Sequence, residues 1–137
     1  MKTASSDKKD IYADIFTKES GNIELKLSNF HYNKKTKKLK CILPSFKDRG
    51  FIFFYAPWCK HCLKLSTPLS NLAIMNATVF PFGAVNSEDI QGGNDFLCNY
   101  ADIEKYPSLY YVDMNGTLTP YLQEYVVDNF IYFINMS

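Results

Sequence analysis

Gly50-Phe51-Ile52-Phe53-Phe54-Tyr55-Ala56-Pro57-Trp58-Cys59-Lys60-His61-Cys62 carries an unbroken apolar segment into two cysteines separated by two residues. Residues 51–56 are bounded by Gly and Pro and lack period-2 alternation, which predicts a central strand buried on both faces. From Trp58 to about Asn76, apolar residues at Cys62, Leu65, Leu69, Leu72, Ala73 and Met75 recur at helical spacing. The tetrapeptide Cys59-Lys60-His61-Cys62 therefore falls at the joint between a strand and the first turn of a helix.

That position has a chemical consequence. Disulfide exchange needs a thiolate, and a free thiol at neutral pH is mostly protonated. At a helix start the first sulfur lies beside unpaired N–H groups and the positive end of the helix dipole, which favour the anion. Lys60 adds a fixed positive charge and His61 a conditional one. Stabilising the thiolate stabilises the reduced pair and makes its disulfide a better oxidant. The expected roles separate: an exposed Cys59 attacks or is attacked, and a buried Cys62, one turn inward, resolves the mixed disulfide. The competing reading makes Cys59, His61 and Cys62 half of a zinc site. Zinc takes four ligands, usually from two such knuckles, and the sequence has no second CxxC or HxxxH. His31, Cys41 and Cys98 would have to converge, so redox chemistry is favoured and no metal site is expected.

Outward from the joint, the chain reads as one domain. Its 137 residues are 47% apolar, enough for a core without staples. Residues 1–21 are polar and mixed in charge, a flexible leader, and 22–137 form the domain. Residues 22–27 alternate, with Ile23, Leu25 and Leu27 on one face, as in a strand. Residues 30–43 fit either a hairpin or a short helix. Residues 79–85 read as a second buried strand and 95–100 as a short helix. Residues 108–112 and 117–121 flank Asn115-Gly116, a strong hairpin turn. Residues 126–134 close the chain as a helix with Val126, Phe130, Phe133 and Ile134 on one face. This order gives an α/β sandwich with a mixed sheet.

Net charge is +1, but residues 1–49 carry 12 Lys/Arg against 6 Asp/Glu, and residues 50–137 carry 3 against 8. Five lysines crowd Lys34-Lys35-Thr36-Lys37-Lys38-Leu39-Lys40 and read as a solvated turn or helix face. No recognised nucleic-acid module interleaves with them, so no nucleic acid is expected as a partner. His31 reads as a surface or half-buried histidine, Glu88, Asp89 and Asp102 as no catalytic carboxylate pair, and Gly92-Gly93 as a plain loop.

Two segments carry a family resemblance. Residues 53–62, FFYAPWCKHC, resemble the EFYAPWCGHC run of protein disulfide isomerase catalytic domains in the thioredoxin superfamily. Residues 97–109, LCNYADIEKYPSL, resemble that family's LCxxYxVxxYPTL segment. The spacing between the two, the Asn-Gly hairpin and the final helix also fit, so the likeness runs from about residue 22 to the end. It implies a thioredoxin fold, with a mixed central sheet and helices on both faces. It implies that Pro107 is a cis-proline facing the CxxC, leaving the Tyr106 backbone free to pair with an extended substrate strand. It implies that Trp58 shields the active disulfide and contacts substrates. Cys98 matches a family cysteine that is usually buried and unreactive, whereas Cys41 has no counterpart.

Several departures bear on mechanism. The family has a buried Glu or Asp two residues before the Tyr-Ala pair, as a proton shuttle for the second cysteine; Phe53 stands there. Isomerases carry an arginine beyond the hairpin, and this chain has no arginine after Arg49. Lys60 replaces the glycine of CGHC, and the helix proline, Pro68, comes one residue later than usual. The expected function is thiol–disulfide oxidoreduction on protein thiols and disulfides through a reversible Cys59–Cys62 disulfide, slow for want of the buried acid. It needs no other cofactor and takes an upstream thiol oxidase or reductase as partner. The alternative is a peptide-binding adaptor with weak turnover. The first twenty residues lack an apolar signal core and no stretch is long enough to span a membrane. These features give a soluble, cytoplasmic expectation, with the endoplasmic reticulum lumen or a virus particle as alternatives.

Overall fold

The computed structural model describes residues 21–137. The expected leader, Gly21 apart, lies outside the described residues. Strand β4 (Phe51–Tyr55) is the centre of a five-stranded sheet and is buried along its whole length, as the unbroken apolar run requires. Strand β5 (Phe82–Asn86) pairs with it in parallel, and β1 (Ile23–Glu24) adds in parallel to β5. On the other side β6 (Ser108–Val112) and β7 (Leu118–Pro120) continue the sheet antiparallel, giving the order β1-β5-β4-β6-β7.

Alternate residues of β4 feed two cores. Phe51, Phe53 and Tyr55 face Leu69, Leu72 and Ala73 of helix α1 (Lys60–Met75) and Phe130 of helix α3 (Val127–Met136). Ile52 and Phe54 face the opposite way, towards Leu97 and Cys98 of helix α2 (Asn94–Tyr100). Both sheet faces are therefore covered by helices. The second face is also covered by a separate hairpin, β2 (Phe30–Asn33) with β3 (Lys38–Cys41), which settles the open reading of residues 30–43. A lone two-stranded hairpin is marginal in water. This one buries Phe30, Leu39 and Cys41 and stacks Tyr32 on Tyr100 with centroids 4.2 Å apart. Two such buried side chains contribute about 4 kcal/mol, so packing rather than cross-strand bonding holds it. The lysine run forms its exposed turn and flanks.

Two strand boundaries differ most from expectation. The first strand ends at Glu24, because Leu27 N–H bonds Gly92 O instead of a strand and the chain turns at Leu27–Asn29. Ile23 is consequently exposed and only Leu25 is fully buried. The second buried strand starts at Phe82, because Val79 and Phe80 N–H both bond Asn76 O in a turn and Pro81 has no N–H to give a ladder. Met75 points to solvent at the end of α1, and Val126 is exposed before α3.

Candidate functional site

The parallel strands end together at one rim of the sheet, where ligand crevices of α/β folds form. There Cys59 is the N-cap of α1, with extended backbone angles (φ −85°, ψ 118°). Its Sγ accepts the Cys62 N–H at 3.2 Å, the role a Ser or Asp side chain plays at other helix starts. Sγ also lies 3.5 Å from the Tyr106 carbonyl oxygen, to which its S–H donates. The Tyr106–Pro107 peptide is cis. The structure thus brings Cys59, Cys62, Tyr106 and Pro107 together, although 47 residues separate Cys59 from Tyr106.

Cys59 was expected to be exposed, and this is corrected: it retains 6% of its surface, while Cys62 retains none. The cap geometry folds the sulfur back over the first helical turn, and the Tyr106 carbonyl closes its other side. Trp58, directly before Cys59, is 55% exposed. Its Nε1–H donates to Glu88 Oε2 at 3.3 Å, and its ring meets the Tyr106 ring edge-on with centroids 6.1 Å apart. Lys60 and His61 are exposed on the first turn of α1, which carries no acidic residue.

Burial pushes the Cys62 thiol up to about 12, and its hydrogen bond with Cys59 adds to the rise. Cys62 is therefore a protonated thiol at neutral pH. Burial likewise raises Tyr106, to about 12, and its interaction with the Cys98 thiol adds to that. Tyr106 is packed against both cores and so couples the loop before Pro107 to each face of the sheet.

Phe53 lies in the core cluster that contains Cys59 and Cys62, stacked on Tyr55, with Ala84 and Leu109 as its register partners. Among the described residues the buried polar ones are Ser66, Ser87 and Asn94, none of them a carboxylate. Arg49 precedes β4 at the sheet end away from the cysteines and pairs with Asp48 at 3.2 Å. Cys41 and Cys98 are buried in the second core, across the sheet from Cys59 and Cys62. No three His, Cys, Asp or Glu side chains among the described residues gather as metal ligands.

Beside the cysteines opens a cleft of about 460 Å³ lined by His61, Lys64, Leu65, Lys105, Tyr106, Pro107 and Tyr125. Lys64, Lys105 and Tyr125 were not singled out from the sequence. Two of them carried a signal: Lys64 stands three residues after His61 on one helix face, and Lys105 directly precedes Tyr-Pro. Tyr125 carried none, because it is fixed by a long-range bond, its hydroxyl accepting the Leu109 N–H at 2.9 Å.

A mixed sheet in this strand order, with a CxxC opening the helix after the central strand, is the thioredoxin fold. The chain belongs to the thioredoxin family, whose sequence model, described as Thioredoxin, matches residues 28–134. It is 36% identical over 86 residues to protein disulfide-isomerase 1 of Dictyostelium discoideum, covering 62% of this chain and 24% of that protein. It is 32% identical over 90 residues to the protein disulfide-isomerase of Datisca glomerata, covering 61% of this chain and 16% of that one. The chain thus spans a quarter or less of the length of these relatives. Among solved structures it resembles the J-Trx1 fragment of ERdj5, with a TM-score of 0.64 and 20% identity over 89% of this chain and 54% of that one. It also resembles oxidised mitochondrial thioredoxin 3 of Saccharomyces cerevisiae, with a TM-score of 0.59 and 14% identity over 88% of this chain and all of that one. No helix among the described residues is long and apolar enough to cross a membrane.

Proposed function

We propose that this domain is a thiol–disulfide oxidoreductase acting on protein substrates. The observation that carries the reading is Cys59 Sγ held between the Cys62 N–H and the Tyr106 carbonyl, beside cis-Pro107. The Cys59 thiolate attacks one sulfur of a substrate disulfide, forms the mixed disulfide and releases the other substrate sulfur as thiolate. Cys62 then gives up its proton and attacks the Cys59 sulfur. The Cys59–Cys62 disulfide forms and the second substrate thiolate leaves. Two electrons pass from the dithiol to the substrate, and the reverse sequence oxidises a substrate dithiol. Lys60 places positive charge next to the reacting sulfur, His61 stands beside it, and Trp58, Tyr106 and Pro107 form the wall against which an extended substrate lies. The reversible disulfide is the only redox group required; an upstream thiol oxidase or reductase resets it.

The test uses the reduced protein and a self-quenched fluorescent disulfide peptide. Cys59→Ser abolishes release of fluorescence, and Cys62→Ser leaves a mixed disulfide on Cys59 visible by mass spectrometry. Release unaffected by Cys59→Ser would overturn the assignment. A second reading, a peptide-binding adaptor with little turnover, is favoured by Phe53, which stands in the core of Cys62 where, among the described residues, no carboxylate is buried. Peptide binding of equal strength in the wild type and in Cys59→Ser/Cys62→Ser, with negligible exchange, supports the adaptor instead.

A further inference from the structure

Residues 50–137 contain eight acidic side chains and only three basic ones, Lys60, Lys64 and Lys105. The three converge on the redox site. Lys60 directly follows Cys59 on α1, and Lys64 and Lys105 line the cleft, one from α1 and one from the loop before Pro107, together with His61. All four are exposed. Among the described residues the single ion pair is Arg49 with Asp48, so no described carboxylate is paired with these lysines. Glu104, Glu124 and Glu88 do not line the cleft, and Glu88 accepts from the Trp58 indole. The cleft floor is apolar, built from Leu65, Tyr106, Pro107 and Tyr125.

A half-chain of net negative charge thus places two of its three cations, Lys64 and Lys105, on one opening, with the third, Lys60, next to the lining residue His61. Cations around a low-dielectric opening focus field lines and raise the local concentration of anions. We infer that the preferred substrates are acidic polypeptide segments, with Asp or Glu flanking the reacting cysteine, drawn in by Lys64 and Lys105. This rests on the redox reading above and names its substrate class; exposed acidic chains follow the lysines and the substrate cysteine reaches Cys59.

The experiment uses three matched peptides, each a mixed disulfide of one cysteine with 2-thiopyridine, flanked by Asp/Glu, Asn/Gln or Lys. The reduced wild-type chain attacks the peptide sulfur through Cys59 and releases thiopyridone, whose absorbance gives the rate. Cys62 then releases the peptide thiol, so the dithiol supplies both electrons and both protons. At low ionic strength the acidic peptide reacts about tenfold faster than the neutral one, and the gap closes in about 0.5 M salt. In Lys64→Glu/Lys105→Glu the acidic-to-neutral ratio falls to one or below, and in Lys64→Arg/Lys105→Arg it is kept. Equal wild-type rates for the three peptides overturn the inference while leaving the redox reading intact. Faster reaction with glutathione disulfide than with the acidic peptide also overturns it, in favour of a small anionic thiol. No reaction with any peptide overturns the redox reading itself.

Discussion

Phe53 concentrates the mechanistic question in one side chain. It points into the same core as Cys62, where the thiol is held protonated by burial. Among the described residues no carboxylate is buried there to take the proton when Cys62 attacks the mixed disulfide. Phe53→Glu is expected to speed that step by tenfold or more in stopped-flow single turnover, the scale of a positioned general base. It also costs about 2–4 kcal/mol in urea unfolding, since a polar group is buried among Phe, Leu and Ala. An unchanged rate would mean that another group already moves the proton. Residue identities at the motif were readable in advance, and so was the missing acid. The shielding of Cys59 was not, because its cover comes from Tyr106, 47 residues away.

Gly83 of β5 sits between β1 and β4 as the register partner of both Ile23 and Ile52. A Cβ there would collide with the Leu25 side chain and press on Phe46. Gly83→Ala is therefore expected to lower stability by about 1–3 kcal/mol by thermal or urea unfolding, and pairing it with Leu25→Ala should recover part of the overpacking term. The central elements were legible because their signals are local: an apolar run, a helical stripe and an Asn-Gly turn with Gly116 at φ +81°. The edges were not. β1 stops at Glu24 because Leu27 bonds a distant loop, and the hairpin of residues 30–41 was ambiguous because its folding depends on burial against Tyr100 and the second core.

At the scale of the molecule, seven acidic protons among the described residues share one direction of shift. Burial raises the thiols of Cys41, Cys62 and Cys98 and the hydroxyls of Tyr55, Tyr106, Tyr110 and Tyr121. The unfolded chain ionises these groups near their ordinary values, about 9 for a thiol and about 10 for a phenol. Above pH 9 the folded state therefore binds more protons than the unfolded one, and stability falls with rising pH. Their contribution is complete below pH 8 and is lost as pH climbs towards the folded-state values, about 12 for Cys62. The urea midpoint of the reduced protein is expected to fall steadily between about pH 8.5 and 11; a flat midpoint would show that these groups ionise without unfolding the chain.

What the sequence by itself determined is the joint at the heart of the fold: a strand buried on both faces, a helix beginning at Cys59, and a sulfur placed at its N-terminus. Those follow from side-chain period and capping chemistry, which act over a few residues. Tertiary structure alone decided what faces that sulfur. Sheet register sets Phe53 between Ala84 and Leu109 on the Cys62 side, and chain return through β6 brings Lys105, Tyr106 and Pro107 to the cysteines. It also brings Lys105 of an acidic half-chain to the cleft that Lys64 lines, an arrangement that depends on packing distant segments together.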